Sequence, residues 1–293
     1  MFERWRRFWF PPCGPQALAA CRILFYGAFF LFYLPVDFSL WGSVSRVFWM
    51  PTPLFRLLGL QPLSPEGLGL LQLFWKAALL FSCLGLATRF STGFVFLAGF
   101  YLLGLPHCFG KTHHFDAIIV LLFGLLALSR CADVRSLDRK LRPGGSDLQQ
   151  RIQAAAASGE YGWPIQGARV LLSLVLFAAG VAKLRESGLD WALSDNMNIL
   201  LVQYQYHLAN ADPMPGWGPW LAQHLPWAVR GMGAASLAIE VGTPAALFSK
   251  AARWLLVPGA IGMLVGIRLL MGPTFLPLIL CQLFWLPWDR NLS

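Results

Sequence analysis

Charge is scarce in this chain of 293 residues. Asp, Glu, Lys and Arg together make up 13% of it, and acids are the scarcer sign, with 14 Asp and Glu against 23 Lys and Arg. A soluble domain carries about a quarter charged residues, so this shortage excludes an ordinary water-facing surface. The six cysteines form no CxxC pair, which excludes a zinc-ribbon or thioredoxin-like motif and leaves them as small buried hydrophobes. P-loop, GxSxG and Rossmann glycine fingerprints are lacking, as are HExxH and other close-spaced ligand sets. Nucleotide-driven, serine-hydrolase and metal chemistry are therefore not expected. What is present is apolar: 57% hydrophobic residues, with 13 Trp and 23 Phe, far more apolar surface than a disordered chain could leave in water. The composition is that of a membrane protein.

A hydrocarbon core about 30 Å thick needs about 20 helical residues. Eight apolar runs approach that length: 17–34, 67–87, 91–109, 115–129, 166–184, 228–248, 254–271 and 274–286. The fourth and eighth are short, and Gly272-Pro273 makes a weak boundary, so seven spans stand as the alternative to eight. The expected fold is an all-α integral membrane protein, a polytopic bundle of about eight transmembrane helices forming one transmembrane domain over 1–293. Arg4, Arg6 and Arg7 resemble the basic start of a signal peptide, but Pro11, Pro12 and Pro15 interrupt the stretch behind them and no cleavage is expected.

The net charge of +9 sits mostly in connectors, so it reads as a topology signal and nucleic acid is not an expected partner. Thirteen basic residues fall on the side of the N-terminus and six on the other; Arg22, Lys76, Arg169 and Arg268 lie within the runs. The positive-inside rule then puts both termini in the cytoplasm, as expected for a protein of a bacterial inner membrane, with membrane lipids as its surroundings. Two long segments, 35–66 and 185–227, fall on the outer side and are rich in Trp and Pro, including Trp191, Trp217, Trp220 and Trp227. They read as interfacial belts or short helices, or as a lid over an outward cavity.

An ionisable side chain within a span is a functional-site hypothesis by default. Arg22, Lys76, Asp116, Arg169, Lys183, Glu240 and Arg268 qualify, and some are expected to form interhelical pairs, such as Glu240 with Arg22, Arg169 or Arg268. Two clusters lie at outer ends of spans. One is His107, Lys111, His113, His114 and Asp116, where adjacent His113 and His114 point about 100° apart on a helix and cannot both face one site. The other is Lys183. Two readings of it stay open: a snorkelling anchor with its ammonium at the interface, or a lysine in a low-dielectric pocket that serves as a general base.

Arg169, then Phe177-Ala178-Ala179-Gly180-Val181-Ala182-Lys183-Leu184, then Trp191 resembles the Arg…Tyr-Phe-x-Ala-Gly-x-x-Lys-Leu…Trp pattern of the vitamin K-dependent gamma-carboxylase family, also called the horizontally transferred transmembrane (HTTM) family. His114, an apolar helix, and Arg135-Ser136-Leu137-Asp138 are similar to that family's Asn-His…Ser-Leu-Asp, with His113 standing where the family has Asn. Arg22-Ile23, Glu240 and 275–287 are weaker echoes, and the likeness spans nearly the whole chain. It implies a reduced quinone, vitamin K- or menaquinol-like, as cofactor. Lys183 would be the base that deprotonates it, His114 would position it, and His113, Arg169, Glu240 and Trp191 would contribute to binding. The implied chemistry is that of a quinol-dependent carboxylase- or epoxidase-like lyase or oxidoreductase. No C-terminal lumenal domain is expected after 286. The alternative within the family is a maturation factor for a secreted peptide or protein, with a peptide or thiol-oxidoreductase partner at the Trp-rich segments. A transporter ranks third, because Gly272-Pro273 and Pro277 break a helix in one half only.

Overall fold

The computed structural model describes residues 2–112, 115–141, 157–208 and 216–288. In chain order its α-helices are α1 Phe2–Trp9, α2 Pro15–Tyr33, α3 Pro53–Leu57, α4 Pro65–Leu84, α5 Thr88–Gly104, α6 Phe115–Ala127, α7 Leu137–Leu141 and α8 Gly159–Ser187. They continue with α9 Asp190–Leu193, α10 Asn196–Leu208, α11 Trp217–His224, α12 Pro226–Gly242, α13 Ala245–Phe248, α14 Lys250–Met271 and α15 Leu276–Cys281. The fold is all-α, as the composition predicts, because a backbone in hydrocarbon must satisfy its own hydrogen bonds. Proline starts α2, α3, α4 and α12, where its missing N–H costs no intrahelical bond. Ser64 and Ser249 cap α4 and α14 by accepting from the N–H of Gly67 and Ala252.

All eight apolar runs are helical, but they differ in reach. Among the described residues, five helices are long and apolar enough to cross a membrane: α2, α4, α5 with its tighter extension to Phe109, α8 and α14. Phe115–Ala127 and Leu276–Trp285 are shorter apolar helices. The sixth run divides at its end into α12, of 17 residues, and α13. The Trp-rich segments carry short helices: the 3-10 turns Ser39–Ser43 and Arg46–Phe48 with α3 in the first, and α9, α10 and α11 in the second. Trp217, Trp220 and Trp227 are exposed, as interfacial indoles would be.

The chain divides within α8 into two compact units, one reaching Ala168 and including the residues from Leu286, the other running from Arg169 to Trp285. In the first unit α2 packs on α4, α4 on α5 and α5 on α6. Its core is aromatic. Phe25, Tyr26 and Phe29 of α2 surround Phe123 of α6, with the Tyr26 and Phe123 rings stacked at 5.6 Å. Trp75 of α4 meets Phe123 edge-on and donates its indole N–H to the Val95 carbonyl of α5 at 3.0 Å. One buried side chain thus ties three helices.

At one end of this unit the Ser-Leu-Asp stretch works as a cap. The Asp138 carboxylate accepts from the backbone N–H groups of Ala87 and Thr88 at 2.6 and 2.7 Å and from the Thr88 hydroxyl at 2.8 Å. Its own N–H donates to Gly85 at 2.9 Å. The first turn of α5 therefore takes its cap from 50 residues further along the chain.

In the second unit α10 packs against α11, α12 and α14, and α9 packs on α12. Truncating the aromatic hub of the first unit, Phe123→Ala, should lower stability by about 3–5 kcal/mol. Phe90→Ala, at an 85% exposed position, should stay within about 0.5 kcal/mol. Thermal unfolding in lipid nanodiscs checks both, and equal effects would mean that the aromatic cluster does not carry the unit.

Candidate functional site

Most cations of the apolar helices end on backbone carbonyls. Arg22, fully buried in α2, donates to the carbonyls of Ser82 and Cys83 at the end of α4 and to that of Arg135. Lys76 of α4 donates to Leu34 and Val36 just past the end of α2, at 3.1 and 2.6 Å. Arg268 reaches the Gly272 carbonyl that follows α14, and Arg169 donates to Phe284 at 2.9 Å with its guanidinium over the Trp285 ring. Carbonyls left over at a helix C-terminus carry partial negative charge, so each contact neutralises a costly cation and satisfies an orphan acceptor. These residues tie helix ends.

Lys183 is held differently. Its Nζ lies 2.6 and 2.7 Å from the two oxygens of the Glu240 carboxylate, and the Trp191 ring covers it at 4.3 Å. The lysine side chain is 25% exposed and the glutamate 5%. Glu240 therefore pairs with Lys183, not with the arginines the sequence offered as its partners. Three local features build the pair. Gly180, one turn before Lys183, is so close to α12 that a Cβ there would come within 2.9 Å of Glu240 Cβ and of a Val241 methyl. Ser173, two turns earlier on the same face, donates its hydroxyl to the Thr243 carbonyl at 3.3 Å, while the Thr243 hydroxyl lies 2.8 Å from the Glu240 carbonyl and 3.3 Å from that of Ser173. Small and polar residues thus line the α8 seam and admit α12, as is usual between helices in a membrane. Past the end of α8, Gly188 adopts φ +60° and donates its N–H to the Leu184 carbonyl at 2.9 Å. This left-handed cap turns the chain back so that Trp191, in α9, lies on the ammonium.

On a neighbouring face of α12 a half-open cleft of about 250 Å³ is enclosed by α10, α12 and α14. Met197, Met232, Met263 and Met271 line it together with Gly262 and Gly266. Its one hydroxyl, on Ser236, donates to the Met263 sulfur at 3.0 Å, so the lining offers a ligand almost nothing polar. Ser236 lies one turn before Glu240, so the ion pair and the cleft share a helix. Sequence reading did not find this cleft, although methionines recurring on α12 and α14 beside glycines were its available signal.

The other expected site residues fall elsewhere. Arg169 is on the same helix as Lys183 but about 21 Å along it, and it serves the turn Gln282–Trp285. His113 and His114 lie outside the described residues. Their neighbours form a compact cluster in the first unit. Asp116, buried in the first turn of α6, lies 2.9 Å from His107 Nε2 and accepts from Lys111 Nζ at 2.6 Å, while His107 Nδ1 meets the Lys111 carbonyl at 2.9 Å. Both nitrogens of His107 are thus engaged by oxygen, which makes it a structural member of the turn and not a free ligand.

The chain is an all-α integral membrane protein whose second unit carries a half-buried lysine, under an indole, paired with a buried glutamate. No protein-family model, curated protein or solved structure matches it.

Breaking a buried pair strands a charge, at about 3–5 kcal/mol when burial is complete and less here because Lys183 is partly exposed. Lys183→Met and Glu240→Leu should therefore each destabilise by roughly 2–3 kcal/mol, and the double variant by clearly less than their sum. Melting of all three proteins in nanodiscs closes the cycle, and strict additivity would show that the two groups do not interact.

Proposed function

We propose that this protein binds a reduced, quinone-like lipid among the helices of its second unit and uses the Lys183–Glu240 pair to accept a proton from it. This is the function implied by the chain's resemblance to the vitamin K-dependent gamma-carboxylase family. The observation that carries the reading is the pair itself: a lysine on a carboxylate, where Arg22 and Lys76 sit on carbonyls. A purely structural cation had that simpler solution.

The residues fit such a ligand in kind. The Met-lined cleft takes apolar groups, and its volume falls just under the range of about 300–1,000 Å³ usual for small-molecule sites. A reduced quinone supplies an acidic hydroxyl and, once deprotonated, a reductant for oxygen. In the ion-paired state Nζ carries its proton and the basic atoms are Glu240 Oε1 and Oε2. Transfer of one proton from Nζ to a carboxylate oxygen gives a neutral amine and a carboxylic acid, and that amine can take a proton from a bound hydroxyl. Contact distances of 2.6 and 2.7 Å make the transfer short. Trp191 covers the ammonium with a ring face, stabilising the charged state and limiting water. The reaction class that follows is a quinol-dependent oxidoreductase or carboxylase-like lyase.

A second reading is a maturation factor for a secreted peptide, favoured by the exposure of Trp217, Trp220 and Trp227 near the same unit's short helices. The two separate in one assay. Purified protein in nanodiscs should consume oxygen and form epoxide when given menaquinol or vitamin K hydroquinone, and Lys183→Ala and Glu240→Gln should each lower turnover at least 100-fold without loss of fold. No turnover by the unaltered protein would sink the quinol reading and direct attention to peptide partners of the Trp-rich helices.

A further inference from the structure

Helix α1 has no buried residue, yet half of it is aromatic. At 100° per residue, Phe2, Trp5, Phe8 and Trp9 fall within an arc of about 120°, while Glu3, Arg4, Arg6 and Arg7 occupy the rest of the circumference. Phe2 is 81% and Trp5 62% exposed, and all three arginines are exposed. The Trp5 and Trp9 rings meet edge-on at 5.6 Å, which fixes the aromatic side as one surface. An aromatic face beside a basic one, on a helix of low overall hydrophobicity, marks an element that lies in a lipid interface.

The position of α1 agrees with that. The chain behind it is anchored: Cys13 and Ser158 exchange backbone hydrogen bonds at 3.2 and 3.0 Å, just before α2 begins at Pro15. Helix α1 therefore emerges beside the end of a membrane-length helix. The same end of the first unit, where Asp138 caps α5, carries exposed Arg89, Arg135 and Lys140 next to exposed Phe90, Leu128 and Leu141. Cations and exposed apolar side chains thus occur together at this end of the unit, as they do on α1.

We propose that α1 and this end of the unit form a docking surface for anionic phospholipid, with the α1 aromatics seated among acyl chains and Arg4 and Arg6 on headgroup phosphates. Charge complementarity selects the occupant. The helix carries three arginines against one glutamate, and Glu3 is already engaged by Arg7 at 3.0 Å, so two guanidinium groups remain for phosphate. A neutral phosphatidylcholine bilayer satisfies the aromatic face, but its phosphates are balanced by choline and present no net negative field to those cations. The inference stands apart from the quinol reading, since α1 and that end belong to the first unit and the Lys183 pair to the second.

Trypsin reads the position of α1 directly, because it cleaves after Arg4, Arg6 and Arg7. The intact chain is placed in nanodiscs of phosphatidylcholine alone or with about one-third phosphatidylglycerol, and release of the N-terminal fragments is followed by mass spectrometry. Cleavage should be about tenfold slower or more in the anionic discs, on the scale that two to three net cations gain at such a surface. The protection should fade at 0.5 M salt as the field is screened. Phe2→Ser/Trp5→Ser keeps every cleavage site and touches no buried residue; it should lose most of the protection with an unchanged melting temperature. Equal cleavage in the two bilayers, or equal protection in both, overturns the proposal: the first result leaves α1 free for a protein partner, and the second makes headgroup charge irrelevant.

Discussion

A charge inside an apolar helix must find compensation within the protein, and this constraint organises the molecule. Each unsolvated cation costs at least about 2.5 kcal/mol in hydrocarbon, and each helix end brings unsatisfied carbonyls to the same depth. The fold sets one deficit against the other. Arg22 closes the end of α4, Lys76 the end of α2 and Arg268 the end of α14. Such contacts act at long range in sequence, 113 residues in the case of Arg22 and Arg135, so they also fix which helix lies beside which.

Against that background the Lys183–Glu240 pair is expensive. It places a second charged group in the apolar region where a carbonyl would have served, and it requires the close approach at Gly180 and the reversal at Gly188. A lysine–carboxylate pair differs from an arginine on a carbonyl in one respect that matters for chemistry: a proton can pass between its two groups without creating a net charge. Helix α12 carries Glu240 on one face and borders the methionine-lined cleft with the next. A buried carboxylate and an apolar cleft thus share one helix.

Much of this was legible in the residues. Runs of apolar side chains gave the helices, the prolines gave several of their starts, and Lys183, Glu240 and Trp191 stood out by their chemistry before any contact was known. Other features were not. Asp138 reads as part of a motif in a basic connector, and only its three hydrogen bonds make it the cap of α5. Arg169 belongs to the same sequence pattern as Lys183, but about four turns of α8 separate them, because 14 residues of helix are a long distance. His107 looked like one histidine among several and is instead engaged at both nitrogens, by the Lys111 carbonyl and by Asp116 of α6.

By itself the sequence determined the solvent of this protein and its secondary structure, since both follow from composition and from the need of a backbone in lipid to bond to itself. It also determined which ionisable groups would have to be accounted for. Tertiary structure alone decided how. A lysine at 183 can meet a carbonyl, a headgroup or a carboxylate, and the choice of Glu240, 57 residues away, depends on α8 and α12 approaching closely at Gly180. That approach is set by packing across several helices at once, and packing is a property of the assembled fold that no single stretch of residues encodes.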